Sequence, residues 1–285
     1  MQVGTIGVIG AGVMGNGIAQ VAAMKGIDVI LLDVNEKALK KGIDAVEGRL
    51  GRVVAKGQMS PAEKDAAVRR IKPATAYDSL KSAQVIIEAA TENYDLKTRI
   101  FKQVDALVST ESIVASNTSS VSIIKLAASI SRPERFVGLH FFNPVPVMSL
   151  VEIVRGLETS DATHDAAATL AVQLGKSPIT VKSAPGFVVN RILLPMINEA
   201  FFVLAEGYAS AKDIDQGMKL GCNHPIGPLA LADMIGLDVL LSVMQILHDE
   251  FGDSKYRPSP LLRELVAAGH LGRKSGRGVF SYQNN

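Results

Sequence analysis

A histidine and a glutamate interrupt two neighbouring apolar runs of the sequence. His140 stands in GLHFFNPV (138–145), and Glu152 stands in SLVEIV (149–154). A buried carboxylate needs a polar partner. When it bonds one imidazole nitrogen, it fixes the tautomer and leaves the other nitrogen available for proton exchange. The pair is therefore suited to general acid–base catalysis near neutral pH. The alternative is a structural histidine and glutamate that only satisfy each other.

A glycine-rich loop near the start of the sequence indicates a dinucleotide site. Its residues are Gly10, Ala11, Gly12, Val13, Met14 and Gly15. The loop follows a predicted strand (5–10) and precedes a predicted helix (15–26). The first glycine would permit a tight turn and the second the close approach of a pyrophosphate. The third would let the helix pack closely on the strand, with the phosphate at the helix N-terminus.

An acidic residue follows this loop at the expected distance. Asp33 ends the second predicted strand, DVILLD (28–33), where its carboxylate could accept a hydrogen bond from a ribose 2′-hydroxyl. The same carboxylate would repel a 2′-phosphate, so we expect NAD rather than NADP as the cofactor, and no metal ion. The alternative is a purely structural glycine turn with Asp33 as an ordinary cap at the end of a strand.

Strands alternate with helices in the first part of the chain. Further strands are predicted at 84–90, 112–118, 135–142, 149–154 and 179–184. The charged segment 35–72 predicts two helices broken near Gly57 to Pro61. This alternation predicts a doubly wound, mostly parallel sheet, with an antiparallel part where the last strands are closely spaced. His140 would then lie near the carboxyl end of its strand, at the edge where such sheets bind ligands.

The pattern of apolar residues changes near residue 184, after which no strand is predicted. The stretch 190–207 is apolar on most sides, which predicts a helix buried in its domain or against another subunit, loosened at Pro195. We therefore predict a dinucleotide-binding domain at 1–184 and a smaller all-α domain for substrate binding and dimerisation at 185–285. A ligand cleft is expected between the two domains.

Four strings of residues carry a family resemblance. They are GAGVMGNGIAQ (10–20), ASNTSS (115–120), GLHFFNPV (138–145) and PGFVVNR (185–191). Together they resemble the short-chain L-3-hydroxyacyl-CoA dehydrogenases, over nearly the whole chain, and the bacterial 3-hydroxybutyryl-CoA dehydrogenases are closest in length. The resemblance implies a Rossmann-type α/β fold and NAD-dependent, reversible oxidation of an (S)-3-hydroxyacyl-CoA. It also implies that His140 is the catalytic acid and base, and that Glu152 orients it.

Three polar residues would complete the active site. Ser119 matches the family serine that contacts substrate and cofactor; its alternative role is an N-cap for a helix starting near Val121. Asn190 matches a family asparagine beside the catalytic histidine and would contribute a substrate contact from the second domain. Asn143 could bond the nicotinamide amide or help to close the site, or could be only an Asn-Pro turn residue.

The resemblance implies three further cofactor contacts. Glu92 and Lys97 follow the strand VIIEAA, where the family contacts the cofactor ribose and nicotinamide side. Their alternatives are a solvated helix start and an exposed lysine. Lys274 lies in the basic segment GRKSGRG, which could reach the cofactor of the same or a neighbouring subunit, or could be only a soluble tail.

A basic helix face is the candidate site for the phosphates of coenzyme A. Arg49, Arg52 and Lys56 follow one another at spacings of three and four, which places them on one face of the predicted helix 35–56. The resemblance assigns a CoA contact to Lys56 most directly. The alternative is a solvated, charged face.

Composition limits the other classes of function. The chain has 285 residues, of which 47% are hydrophobic, and 30 basic residues nearly balance 28 acidic ones. We therefore expect no nucleic-acid or membrane partner, and a homodimer through the C-terminal domain. The single Cys222, an N-terminus unlike a signal peptide, and apolar runs shorter than a membrane span favour a soluble, cytoplasmic protein.

Two rival functions stay open at this point. One is a dehydrogenase of a free 3-hydroxy acid or sugar acid, which would not need the basic helix face. The other is a non-enzymatic dinucleotide-binding protein, which could have lost His140 and Glu152, although this chain keeps both. The direction of the reaction in the cell and the preferred acyl chain length do not follow from the sequence.

Overall fold

A computed structural model describes residues 2–282 of the chain. Two compact units divide between Ala184 and Pro185. The first contains an eight-stranded sheet with helices around it, and the second is helical. In the second unit, the only β pairing among the described residues consists of isolated bridges at Gly272–Arg277 and Arg277–Ser281.

The sheet of the first unit is doubly wound, as the alternation of strands and helices predicts. Its strands are β1 (Thr5–Ile9), β2 (Asp28–Leu32), β3 (Ile71–Ala74), β4 (Val85–Glu88), β5 (Ile113–Ser116), β6 (Phe136–Phe141), β7 (Leu150–Arg155) and β8 (Ser177–Lys182). They lie in the order β3-β2-β1-β4-β5-β6-β7-β8. All neighbours are parallel except β6 and β7, which are antiparallel, so the predicted antiparallel part is confirmed.

The central strands are buried on both faces, which explains their continuous apolar sequences. The edge strand β3 differs, because Lys72 and Pro73 are exposed within it. Proline lacks the N–H that a central strand needs but is tolerated at a sheet edge. The prediction that the segment 35–72 is entirely helical is therefore wrong at its end, where Ile71 and Lys72 belong to this short strand.

Six helices surround the sheet in the described part of the first unit. They are α1 (Val13–Met24), α2 (Glu36–Ala55), α3 (Pro61–Arg70), α4 (Tyr94–Leu107), α5 (Ile123–Ala127) and α6 (Asp161–Gln173). The predicted break between the two charged helices is confirmed. Gly57 has a positive φ of +67°, and Ser60 then caps α3 through a reciprocal capping box with Glu63.

The second unit packs its helices around their apolar faces. They are α7 (Val189–Ala205), α8 (Ala211–Gly221), α9 (Pro228–Ile235), α10 (Leu237–Phe251) and α11 (Pro260–Ala267). Helix α7 continues across Pro195 and buries Leu194, Ile197 and Phe201 in the core of this unit. Ile192 lies on its outer face with 68% of its surface exposed. Only one face of this apolar helix is therefore covered within its own unit.

Within residues 2–282, no single helix combines the length and apolar composition that a membrane span needs. Helices α9 and α10 reach that length and composition only when they are taken together, and they are bent by 98°.

Candidate active site

The parallel strands bring the predicted site residues of the first unit to one edge of the sheet. Gly10 follows β1, and Asp33 follows β2. A Cβ added at Gly10 would lie 2.7 Å from the Cα of Ala90, which follows β4. The glycine loop therefore lies at the end of β1, between β2 and β4. At this point the strand order reverses, because β2 and β3 lie on one side of β1 and β4 and β5 on the other. In open sheets of this kind, ligands bind at that point.

The glycine loop has the geometry of a pyrophosphate cradle. Gly10 has φ +100°, which favours glycine, and a Cβ at Gly15 would lie 1.8 Å from the carbonyl oxygen of Gly10. By contrast, a Cβ at Gly12 would meet no heavy atom of residues 2–282 within 4 Å. Helix α1 begins directly after Gly12, with no side-chain cap among the described residues. These features fit a dinucleotide whose phosphates lie at the helix N-terminus.

Asp33 braces the glycine loop from the end of β2. Its Oδ2 accepts from the main-chain N–H of Ala11 at 2.9 Å, and its Oδ1 accepts from that of Asn35 at 2.9 Å. A carboxylate has about four lone-pair sites, so it can accept ribose hydroxyls as well. Asp33 therefore has the structural role, at the end of a strand, that was the alternative to a cofactor contact. This role leaves acceptor sites free for the predicted contact with the ribose.

His140 and Glu152 face each other across the antiparallel pair β6 and β7. They are direct partners in the strand register, which places their side chains on the same face of the sheet. The Nδ1 atom of His140 lies 2.6 Å from Oε2 of Glu152. His140 is 5% exposed, and Glu152 is fully buried. The ring of Phe142 packs at a tilt against the imidazole, with ring centroids 4.5 Å apart. The predicted pairing is confirmed, while its catalytic use remains a prediction.

An asparagine that the sequence analysis did not single out fixes the end of the histidine strand. Asn117 follows β5, and its Oδ1 accepts from the main-chain N–H of Phe141 at 2.9 Å. This bond continues the β5–β6 ladder beyond its last pair, Ser116 and Gly138. It therefore holds the backbone next to His140. An amide side chain directly after a buried strand was the signal available for this residue.

Ser119 lies in a polar cluster built on Glu92. The Glu92 Oε1 atom accepts from the main-chain N–H of Ser119 at 2.7 Å and from its hydroxyl at 2.9 Å, while Oε2 accepts from the hydroxyl of Thr118 at 2.5 Å. Ser122, and not Ser119, caps helix α5. The alternative in which Ser119 is the N-cap is therefore wrong. Its contacts to substrate and cofactor stay a prediction.

Lys97 is buried beside an acidic residue that sequence reasoning missed. Its Nζ lies 2.5 Å from Oε2 of Glu88 and 3.3 Å from the hydroxyl of Ser116, which itself donates to Glu88 at 2.8 Å. Lys97 is 1% exposed, so the alternative of an exposed lysine is wrong. Its Nζ also lies 3.8 Å from Glu92. The predicted cofactor residues Lys97 and Glu92 thus belong to one charged network at the ends of β4 and β5.

The loop between the histidine and glutamate strands is a defined turn. Asn143 is exposed and precedes Pro144 through a cis peptide bond. The Pro144 carbonyl accepts from the main-chain N–H groups of Val147 and Met148, at 2.9 and 3.0 Å. Asn143 therefore has the turn role that was proposed as an alternative. Its side-chain amide is exposed, and the bond from this amide to the nicotinamide stays a prediction.

A buried lysine bonds the main chain of the same loop between β6 and β7. Lys176 is 8% exposed, and its Nζ donates to the carbonyls of Val145 at 2.5 Å and Met148 at 2.7 Å. Burial lowers the pKa of Lys176. Sequence reasoning missed this residue, because a lysine between a helix and an edge strand is usually solvated.

Two predicted site residues belong to the second unit. Asn190 lies in the first turn of α7, just after Gly186 and Phe187, which both have positive φ angles of +73° and +49°. Lys274 lies in a short turn of 3-10 helix, where its Nζ bonds the carboxylate of Asp238 at 2.5 Å. Burial alone would raise the pKa of Asp238, but the hydrogen bond and the charge of Lys274, together with main-chain hydrogen bonds, outweigh burial and hold that pKa below its usual range. The roles of both site residues remain predictions.

The three residues of the basic helix face are held differently. Arg49 is half-buried and bonds side chains of α1, whereas Arg52 and Lys56 are exposed. Burial, and to a smaller extent the charge of Arg52, lower the pKa of Arg49. Only Arg52 and Lys56 have the exposure that a phosphate contact at the surface requires.

Nearly the whole chain matches known dehydrogenases. Residues 5–184 match the family model of the NAD-binding domain of 3-hydroxyacyl-CoA dehydrogenases, and residues 186–282 match the C-terminal domain. The 3-hydroxybutyryl-CoA dehydrogenase of Bradyrhizobium diazoefficiens is 51% identical over 98% of this chain and 95% of that protein. The chain belongs to the 3-hydroxyacyl-CoA dehydrogenase family.

Other relatives of this dehydrogenase agree. The 3-hydroxybutyryl-CoA dehydrogenase of Clostridioides difficile is 46% identical over 97% of this chain and 99% of that protein. The crystal structure of (S)-3-hydroxybutyryl-CoA dehydrogenase PaaH1 from Ralstonia eutropha is 61% identical, with a TM-score of 0.97 over 99% of this chain and 100% of that one. The predicted Rossmann-type fold, the NAD cofactor and the oxidoreductase class are thereby confirmed. Among residues 2–282, no group of three or more His, Cys, Asp and Glu side chains could hold a metal ion.

Asp33 gives this dehydrogenase a testable basis for its choice of cofactor. We expect Asp33→Asn to remove the charge that repels a 2′-phosphate and to keep, through its one amide oxygen, one of the two main-chain bonds to Ala11 and Asn35. The preference for NADH over NADPH, measured as a ratio of kcat/KM values, should narrow by roughly ten-fold. Asp33→Ala should narrow it too and should also weaken NADH binding. An unchanged ratio in both variants would place the discrimination elsewhere.

Proposed function

We propose that this dehydrogenase catalyses the reversible oxidation of a short-chain (S)-3-hydroxyacyl-CoA, such as 3-hydroxybutyryl-CoA, to the 3-ketoacyl-CoA. The observation that carries the proposal is the buried 2.6 Å pair of His140 and Glu152 on the sheet whose edge holds the dinucleotide loop. Support for the substrate comes from the relatives in Bradyrhizobium diazoefficiens and Ralstonia eutropha, which are named for 3-hydroxybutyryl-CoA.

The chemistry needs one hydride and one proton. A bound NAD would supply the acceptor for the hydride that leaves C3 of the substrate. His140 takes the proton of the C3 hydroxyl as general base, and in the reverse direction it returns that proton to the carbonyl oxygen. Glu152, with Oε2 on Nδ1, holds the ring so that Nε2 is the proton-exchanging atom and stabilises the imidazolium that forms.

Ser119 and Asn190 would hold the substrate oxygen and the thioester. In the described structure the Ser119 hydroxyl proton is donated to Glu92. The oxygen of Ser119 can therefore accept the proton of a substrate hydroxyl, which orients that hydroxyl before oxidation. In this proposal, Glu92 therefore makes the Ser119 hydroxyl an acceptor of the substrate hydrogen bond and not its donor.

Two exposed cations at the C-terminal end of α2, Arg52 and the C-cap residue Lys56, are the proposed contact for the phosphates of coenzyme A. We expect Arg52→Met and Lys56→Met each to raise the KM for acetoacetyl-CoA by roughly ten-fold, since each removes one charge-assisted bond. The KM for acetoacetyl-pantetheine, which lacks the nucleotide, should not change. Lys41→Met is the matched control, because Lys41 is an exposed cation of the same helix.

The same comparison tests the rival substrate class. If the wild-type enzyme used free acetoacetate as well as acetoacetyl-CoA, and Arg52 and Lys56 had no effect, the function would shift to a dehydrogenase of a free hydroxy acid. The basic face would then be a solvated surface.

A homodimer through the C-terminal unit and a cytoplasmic location complete the proposal. Ile192, Tyr208 and Leu220 of this unit are 68%, 78% and 77% exposed, which favours a partner for this surface. Light scattering at micromolar concentration should give twice the chain mass of 30.2 kDa. A mass of one chain would contradict the dimer. The exposed, unpaired thiol of Cys222 supports a reducing compartment.

A further inference from the structure

The side chain of Asn16 closes on the glycine loop from inside helix α1. Its Nδ2 donates to the carbonyl oxygen of Gly12 at 2.7 Å and to that of Ala11 at 3.2 Å. In a planar trans peptide, the C=O of one residue and the N–H of the next point in opposite directions. The main-chain N–H of Asn16 also donates to the Gly12 carbonyl, at 3.0 Å. Side chain and main chain of Asn16 together hold the two carbonyls, and the N–H groups of Gly12 and Val13 are thereby turned to the opposite side. These N–H groups begin the helix terminus that fits a pyrophosphate.

An arginine from the next helix decides which end of the Asn16 carboxamide faces the loop. The Nη2 of Arg49 donates to Oδ1 of Asn16 at 2.5 Å, and its Nε donates to Oε1 of Gln20 at 2.6 Å. A guanidinium has donors and no acceptor, so only the oxygen end of the carboxamide can face it. The amide nitrogen is thereby directed at the loop carbonyls. Asn16 and Gln20 are 5% and 3% exposed, so water offers little alternative to these bonds.

We propose that Arg49 is a positioning residue for the dinucleotide, which acts through Asn16 on the orientation of the glycine-loop N–H groups. This role differs from the CoA contact that the helical spacing of Arg49, Arg52 and Lys56 predicts. The guanidinium is directed to α1 and engaged there at two points. The inference rests on the NAD-binding part of the proposed function and not on the acyl-CoA substrate.

Direct titration with NADH, followed by nicotinamide fluorescence without substrate, tests this role. Arg49→Met and Asn16→Ala should each raise the Kd for NADH by roughly ten-fold, because each removes the oriented side-chain donor from the loop carbonyls and leaves Gly12 only its main-chain bond from residue 16. The double variant should bind no more weakly than Asn16→Ala alone, since Arg49 acts through Asn16. At saturating NADH, kcat should stay close to the wild-type value. Lys41→Met, which removes an exposed cation of the same helix, should leave the Kd unchanged.

Asn16→Asp tests the same role of the Asn16 amide if Arg49→Met does not fold. Aspartate retains an oxygen for Arg49 but replaces the amide nitrogen with a second oxygen, which repels the carbonyls of Ala11 and Gly12. NADH binding should therefore weaken although the bond between Arg49 and residue 16 is kept. Arg49→Lys, with a single donor group in place of the fork, should lie between wild type and Arg49→Met.

Three results would overturn the proposal. The first is additive losses in the double variant, the second is unchanged NADH binding in Asn16→Asp, and the third is a raised KM for acetoacetyl-CoA in Arg49→Met with an unchanged NADH Kd. The last result would return Arg49 to a CoA contact. Because NADH binding is measured without substrate, a wild-type enzyme that binds NADH but reduces no thioester would remove the proposed reaction and leave this inference standing.

Discussion

His140→Gln should lose turnover by roughly 10²- to 10⁴-fold, the range of general acid–base catalysis. Glutamine has a similar reach and can donate its amide N–H to Glu152, so the antiparallel pair and the fold should persist. It has no nitrogen that exchanges a proton near neutral pH. The measurement is kcat with acetoacetyl-CoA and NADH, with circular dichroism and NADH titration to confirm that the variant is folded and binds cofactor.

Two outcomes separate catalysis from a structural role for His140. Loss of kcat with intact folding and NADH binding fits a proton-transfer residue. Retained activity would leave His140 and Glu152 as a buried structural pair. His164→Gln is the matched control, because His164 also contacts an acidic neighbour, Asp165, but lies on α6 and bonds Thr180 of β8 with its other ring nitrogen.

Glu152→Gln should lower kcat by roughly 100- to 10⁴-fold while the two strands stay paired. The amide can turn either its oxygen or its NH₂ group toward Nδ1, so it no longer fixes the tautomer, and the negative charge is lost. Without that charge, the buried site stabilises the imidazolium less well. The Kd for NADH, measured by titration, should stay at the wild-type value, so that the loss falls on kcat.

A fall in kcat with unchanged NADH binding is a readout that a merely structural glutamate would not give. A variant that is destabilised but chemically normal would lose activity and NADH binding together. Glu158→Gln, which neutralises an exposed carboxylate shortly after β7, should leave both kcat and the Kd for NADH unchanged. If Glu152→Gln kept wild-type turnover, the electrostatic role of Glu152 would be contradicted.

The strands that carry these two residues could be predicted from their apolar runs, but their register could not. His140 and Glu152 are directly opposed only because the irregular turn between β6 and β7 sets that pairing. A shift of one residue would have placed the two side chains on opposite faces of the sheet. Spacing along the sequence does not determine such a turn, so the pairing could be expected from the chemistry of the two residues, but the register that permits it is known only from the structure.

Each inference from the sequence that failed has a physical reason that can be named. The strand β3 is short and contains Pro73, so its pattern resembles the end of a charged helix. Lys97 lies at a helix position that is usually solvated, and its burial depends on Glu88, which comes from β4. That glutamate ends an apolar strand just as Glu152 interrupts one, and the same rule about buried carboxylates would have identified it. Arg49 shows that helical spacing predicts a shared face but not the partner of each side chain.

The reduction of acetoacetyl-CoA, followed as loss of NADH absorbance, tests the central claim most directly. The assay is run beside NADPH with the same thioester and beside NADH with free acetoacetate. Rapid loss with NADH and the thioester only is the predicted result, because it requires the dinucleotide loop, Asp33 and the CoA contacts together. No loss with any of the three mixtures, from an enzyme shown to bind NADH, would contradict the account.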